Sequence, residues 1–182
     1  MHMYYIYYIY INIYIYIFIY YIMKILFFAS YPDIAIGYSR IANIISNHLA
    51  EKGHKIYYVG ISNFGTNKCN RYVHPDITLI DAYQEEKDNG TDELYGVNVI
   101  CKYIKKINPD VVLILGDRTE ALAAAIASLY LNIPLAHIHG GELTEAAFDD
   151  AFRHSITKLS HLHFGNFPKL QSKCVPPLKQ SH

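Results

Sequence analysis

The stretch VVLILGDRTEALAAAIASLYLNIPLAHI, residues 111–138, decides the fold. It opens with an unbroken aliphatic run over residues 111–115, which predicts a strand buried on both faces. An alanine-rich segment of helical length follows over residues 119–131, and a second apolar strand follows over residues 134–138. This order of elements predicts a βαβ unit with parallel strands.

The same alternation extends in both directions from this unit, which predicts an α/β fold with a Rossmann-like parallel sheet and helices on both faces. The expected strands are residues 25–29, 55–60, 77–80, 111–115, 134–138 and 162–164, and the expected helices are residues 39–53, 93–107, 119–131 and 148–160. Residues 81–91 are expected to form an acidic, exposed segment.

The first expected helix has recognisable end signals. Ser39 is expected to cap its start, and Gly53 to end it in the C′ position. Four apolar residues at helical spacing predict the buried face, and these are Ile41, Ile44, Ile45 and Leu49.

Residues 23–164 are expected to form the domain, with a different kind of sequence at each end. Residues 1–22 consist almost entirely of Tyr and Ile. We interpret them as a low-complexity segment ahead of the domain, with a membrane anchor or an aggregation-prone β segment as alternatives. Residues 165–182 contain three prolines and show no periodicity, which predicts an irregular tail. Both ends are expected to pack little against the domain.

The bulk composition excludes some classes of protein. Lys+Arg and Asp+Glu number 16 each, so the net charge is zero, which argues against a general nucleic-acid-binding protein. The three cysteines are far apart and form no CxxC motif, so neither a structural zinc site nor a disulfide framework is expected. A reducing, cytoplasmic location fits this pattern.

Three polar segments follow strand ends, where open parallel sheets bind ligands. They are residues 116–118, residues 137–142 and residues 149–154. Each has a purely structural alternative: Asp117 as a helix N-cap, Asp149 and Asp150 as partners of the helix dipole, Arg153 and His154 as surface residues. His137 and His139 alternate on a strand, so they should point to opposite faces and hold no shared metal, and one of them is expected to be a core histidine. The clustering of the three segments favours a functional site.

The same segments carry a resemblance to a known family. GDRTEALAAA (116–125), HIHGGE (137–142) and DDAFRHSITKLSH (149–161) resemble, in order, three motifs of the hydrolysing UDP-N-acetylglucosamine 2-epimerases. The resemblance covers residues 111–164. It implies a domain equivalent to the N-terminal half of a GT-B fold, whose complete form binds a UDP-sugar between two domains.

The resemblance also implies an activity and a set of residues. The family removes the C2 proton of the sugar, eliminates UDP, and adds back water or UDP, converting UDP-N-acetylglucosamine to N-acetylmannosamine plus UDP or to UDP-N-acetylmannosamine. The implied catalytic residues are Asp117, Asp149, Asp150 and His139, the last standing where some members have Glu. The implied substrate-binding residues are Arg118, Gly140, Gly141, Glu142, Arg153 and His154. No metal and no cofactor are expected.

The remainder of the chain departs from the family pattern. Residues 23 to about 109 lack it, including the arginine-containing motif of the family's first loop, and residues 23–60 resemble instead the start of a GT-B glycosyltransferase. Because the family's second domain is missing from the sequence, we interpret the chain as truncated. The alternatives are a fragment of a GT-B glycosyltransferase and a non-catalytic remnant. The expected partners are a UDP-sugar and either a second copy of the chain or a C-terminal domain, with no nucleic acid.

Overall fold

The computed structural model describes residues 22–63, 68–88, 97–140 and 149–165. The described elements are β1 (Lys24–Ser30), α1 (Gly37–Glu51), β2 (Lys55–Ile61), β3 (Thr78–Asp81), α2 (Ala82–Asp88), α3 (Val97–Ile107), β4 (Val111–Leu115), α4 (Thr119–Tyr130), β5 (Leu135–Ile138), α5 (Asp149–Leu159) and β6 (Leu162–Phe164). Nearly all of the Tyr/Ile segment and of the C-terminal tail lies outside the described residues. No helix within these ranges is long and apolar enough to cross a membrane.

The six strands form one sheet in the order β3-β2-β1-β4-β5-β6, and every neighbouring pair is parallel. The predicted Rossmann-like sheet is therefore confirmed. From β1 the chain proceeds outward to one edge through β2 and β3, and then returns to the other side of β1 with β4. A crevice for ligands is expected at this switch point, beyond the carboxyl ends of β1 and β4.

Helices cover both faces of the sheet, as predicted. One cluster of buried residues joins Leu26 and Phe28 of β1 to α2, α3, α4 and α5. Another joins Ile25 and Phe27 of the same strand to α1. Alternate residues of a strand point to opposite faces, so β1 contributes to both clusters and is buried at every residue after Lys24.

Helix α1 corrects the predicted helix in two respects. Its side chains facing the sheet are small or polar, and they include Asn43 and Ser46, whereas Ile41 and Ile44 are 37% and 60% exposed. Ala42 and Ala50 of α1 belong to the same buried cluster as Phe27 and Tyr58 of the sheet. Of the predicted face, Ile45 and Leu49 pack against the core.

The second correction concerns the ends of α1. The helix begins at Gly37 with Ile36 as its N-cap, so Ser39 is not the cap. The Ser39 hydroxyl donates instead to the carbonyl oxygens of Ile34 and Ile36, which holds the preceding loop. Gly53 follows the C-cap Lys52 with a φ of +89°, which confirms its predicted role.

The acidic segment after β3 also differs from the prediction, because Ala82–Asp88 is helical. Ala82 is fully buried, and the Asp81 carboxylate accepts a hydrogen bond of 3.1 Å from the backbone N–H of Gln84. The segment is acidic, but one buried alanine and one carboxylate cap are enough to start a short helix.

Candidate active site

A buried ion pair lies at the centre of the candidate site. The loop after β4 turns at Gly116, whose φ is +115°, and brings Asp117 to the carboxyl edge of the sheet. Asp117 is 8% exposed, and its Oδ2 accepts a hydrogen bond from Nη2 of Arg153 on α5. The N-cap of α4 is Arg118 rather than Asp117, so the carboxylate of Asp117 pairs with Arg153 and does not act as the helix cap.

Arg153 joins two of the three polar segments. Its Nη1 lies 3.3 Å from Oδ1 of Asp150 at the start of α5, while its Nη2 binds Asp117. Burial acts to lower the pKa of Arg153, but the hydrogen bond to Asp117 and the charges of Asp117 and Asp150 act to raise it, and the net effect is a raised pKa. The guanidinium therefore holds two carboxylates close together and offsets the repulsion between them. This excludes the alternative that Arg153 is an ordinary surface residue.

His137 is the expected core histidine. It is fully buried, with Nε2 2.9 Å from the carbonyl oxygen of Gly116 and Nδ1 3.1 Å from the hydroxyl of Thr157. Burial lowers its pKa to about 4, so the ring is neutral near pH 7. A carbonyl can only accept, so the proton of the neutral ring lies on Nε2. His137 thus ties the Asp117 loop to the helix that carries Arg153.

His139 is placed differently from the strand-based expectation. Strand β5 ends at Ile138, and His139 has a φ of +62°, so the alternation of side chains along a strand no longer applies to it. Its backbone N–H donates to the carbonyl oxygen of Phe164 at 2.8 Å. Its ring meets the Tyr38 ring edge to face, with 6.3 Å between the centroids. His139 is half-buried beside the site.

Gly140 allows the loop after β5 to pack closely. A Cβ on this residue would lie 2.7 Å from Nδ1 of His137 and 2.7 Å from Oγ1 of Thr157. The structure therefore gives Gly140 a packing role in addition to the substrate-binding role implied by the resemblance. Gly141 and Glu142 of the same motif lie outside the described residues.

The remaining expected site residues lie at the margin. Arg118 donates to the Ser62 hydroxyl at 2.9 Å and pairs with Glu120 at 3.5 Å, and its side chain is 49% exposed. Asp149 is exposed and His154 is half-buried. Among the hydrogen bonds and ion pairs between described residues, none joins Asp149 or His154 to Asp117 or Arg153.

Two residues near the site were missed by sequence reasoning. Tyr38, on the first turn of α1, contacts His139. Arg71 donates from Nη1 to the carbonyl oxygens of Pro32 and Ile34, at 2.5 and 2.7 Å, and to the Ser39 hydroxyl at 2.9 Å. The position of Tyr38 next to Gly37, in the loop after the first strand, could have marked it as a candidate site residue. No sequence signal could have identified the contacts of Arg71, because it lies more than 30 residues from its partners.

Comparisons with known proteins agree with the motifs. The sequence profile of the UDP-N-acetylglucosamine 2-epimerase family matches residues 70–174. The UDP-N,N'-diacetylbacillosamine 2-epimerase (hydrolyzing) of Legionella pneumophila is 62% identical over 56 residues, which is 31% of this chain and 15% of that protein.

Solved structures show the same fold. A crystal structure of a UDP-N-acetylglucosamine 2-epimerase has a TM-score of 0.61 at 16% identity, over 84% of this chain and 44% of that one. The Methanocaldococcus jannaschii UDP-GlcNAc 2-epimerase, solved in complex with UDP-GlcNAc and UDP, has a TM-score of 0.50 at 18% identity. The match covers 75% of this chain and 38% of that one. The chain thus spans less than half the length of these proteins.

The profile match also corrects one expectation. Residues 70–109 belong to the matched region, although the sequence motifs suggested that the family pattern begins only near residue 110. Residues 23–60, which resemble the start of a GT-B glycosyltransferase, lie outside the matched region.

Proposed function

The chain belongs to the UDP-N-acetylglucosamine 2-epimerase family, and from this premise we propose that it carries the acid/base side of a hydrolysing epimerase site for a UDP-sugar. The observation that carries the proposal is the bridge through Arg153, which holds Asp117 and Asp150 together at the carboxyl edge of the sheet. Two carboxylates from separate motifs lie close together, and they can serve as the acid and the base that proton transfer at carbon requires.

The proposed reaction proceeds in two stages. A carboxylate takes the proton from C2, and the electron pair of that C–H bond forms a C1–C2 double bond as the C1–O bond breaks and UDP leaves. Water then adds to C1, and a proton returns to C2 from the opposite face. The net change is UDP-sugar plus water giving the C2-epimeric sugar plus UDP. Asp117 and Asp150 are proposed as the acid/base pair, with Asp149 and His139 as further candidates, and the steps need no oxidant, metal or cofactor.

The sugar is proposed to be an N-acetylated UDP-hexosamine. UDP-N-acetylglucosamine is the first candidate because a solved relative binds it. UDP-N,N'-diacetylbacillosamine is the second because the Legionella relative, 62% identical over its aligned segment, is named for it. Both carry a C–H bond at C2 and a UDP leaving group at C1, so the proposed chemistry is the same.

The test uses the 182-residue chain with each substrate in D₂O, and follows released UDP and free sugar by NMR. We expect slow or no turnover by the chain alone, because preorganisation of a complete cleft accounts for much of catalysis and the solved relatives are more than twice as long as the matched region. Adding a C-terminal domain from a family member should restore turnover, with deuterium at C2 of the product.

Asp117→Asn should abolish the restored turnover, while Asp76→Asn, which alters a carboxylate 79% exposed, should leave it unchanged. Restored turnover that survives Asp117→Asn would exclude the proposed site. Rapid turnover by the chain alone would show that the proposed site does not need the C-terminal domain. Transfer of the sugar to an acceptor, in place of its release, would instead support the glycosyltransferase alternative, and no reaction under any condition would support the non-catalytic remnant.

A further inference from the structure

Tyr38 occupies a position that none of the three motifs accounts for. It lies on the first turn of α1, which faces the switch point from the β1 side, whereas Asp117, Arg153 and His139 come from β4, α5 and the end of β5. Its ring nevertheless reaches across to His139, with centroids 6.3 Å apart and the two rings nearly perpendicular. Tyr38 therefore brings a residue of α1 into contact with the loop that follows β5.

The backbone around Tyr38 is held firmly. Arg71 hydrogen-bonds to two carbonyl groups of the β1–α1 loop and to Ser39, the residue after Tyr38. The backbone N–H of Cys69 also donates to the carbonyl oxygen of Asp33 in this loop at 2.7 Å. These contacts fix the first turn of α1 relative to the sheet, so the ring of Tyr38 is presented to the site from a rigid support.

The surroundings of Tyr38 also suggest a chemistry. Tyr38 is 41% exposed, so solvent reaches part of the residue. Arg153, which bridges Asp117 and Asp150, lies near Tyr38. A tyrosine presents an apolar ring together with a polar hydroxyl. A hexosamine has the matching surface, with C–H groups on one face and hydroxyl groups around the rim.

We propose that Tyr38 is a sugar-contacting residue, whose ring packs against the hexosamine of the UDP-sugar while Asp117 and Asp150 face C2. This inference rests on the proposed function. It predicts that Tyr38 affects two ligands differently, because its ring contacts the sugar and not the nucleotide. Loss of the ring should weaken binding of UDP-N-acetylglucosamine and leave binding of UDP unchanged.

The test titrates UDP-N-acetylglucosamine and UDP separately into the 182-residue chain and measures Kd by NMR, with saturation transfer to sugar and uracil protons. Tyr38→Ala should weaken UDP-N-acetylglucosamine binding by about five- to tenfold and lower the transfer to sugar protons relative to uracil H6. Tyr38→Phe keeps the ring and should stay within about twofold of the natural chain. The matched control is Tyr72→Ala, because Tyr72 is also exposed and also meets a histidine ring edge to face, His74, at 6.5 Å.

The outcomes separate the two proposals. Unchanged sugar binding in Tyr38→Ala, or equal weakening of UDP and UDP-N-acetylglucosamine, would overturn the role of Tyr38 and leave the proposed function intact. An equal loss of UDP-N-acetylglucosamine binding in Tyr72→Ala would also overturn the role of Tyr38, because the loss would then follow from removing any exposed tyrosine. If the natural chain shows no saturation transfer to UDP-N-acetylglucosamine at any concentration, the proposed function and this inference are both overturned.

Discussion

Replacing Arg153 by Met is the perturbation most directly tied to the structure. The side chains of Arg153 and Asp117 are only 7% and 11% exposed, and the guanidinium is the cation that Asp117 contacts. Met keeps much of the length of the side chain and removes the charge and the donors. The carboxylate of Asp117 would then stay buried without its ionic partner.

The expected cost follows from this burial. Removing one partner of a buried ion pair destabilises proteins by about 3–5 kcal/mol, because the remaining charge is desolvated and uncompensated. Asp150 adds little to this value, since its side chain is 26% exposed and its distance to Arg153 is 3.3 Å. Arg153→Met should therefore lower the free energy of unfolding by about 3–5 kcal/mol, a large part of the stability of an ordinary domain.

Urea denaturation of four proteins measures the effect: the natural chain, Arg153→Met, Asp117→Asn and the double variant. The double variant should be clearly more stable than the sum of the single changes implies, because it leaves no unpaired charge. Arg118→Met is the control, since that arginine is 49% exposed and its ion pair should contribute no more than about 1 kcal/mol. A loss below about 1 kcal/mol in Arg153→Met, or strict additivity in the double variant, would refute the reasoning.

Two further predictions concern the contacts of His137. Burial lowers its pKa to about 4, below the ordinary value of about 6.5, so the unfolded chain binds this proton more readily and stability should fall as the pH decreases from about 6.5 to about 4. His137→Gln should reduce the slope of unfolding free energy against pH in that window by up to about 1.4 kcal/mol per pH unit, and an unchanged slope would contradict the assignment. Gly140→Ala should cost about 1–3 kcal/mol in urea denaturation, because its Cβ would lie 2.7 Å from His137 and Thr157, whereas Gly37→Ala, with no atom within 4 Å of its Cβ, should cost far less. Equal stability of the two alanine variants would contradict the close packing at Gly140.

The sheet and most of its elements could be predicted from local patterns. The aliphatic run of β4 and the alanine-rich α4 were located to within a residue, because strands and helices of this kind repeat their apolar residues at short range. The buried face of α1 could not be predicted in the same way. Its sequence offers Ile41 and Ile44, but in the folded chain Ala42 and Ala50 are the residues of α1 that are buried with Phe27 and Tyr58 of the sheet.

The candidate site, like the fold, was predicted only in part. Sequence motifs alone identified the three segments that hold Asp117, His139 and Arg153, since each follows or precedes an element that the periodicity predicts. Only the tertiary structure decided that Arg153 pairs with Asp117, that His137 ties two of the segments together, and that Tyr38 lies beside His139. Hydrophobic periodicity is a property of neighbouring residues, whereas these contacts depend on which strands lie side by side, and the pairing of β1 with β4 brings together residues that are far apart in the chain.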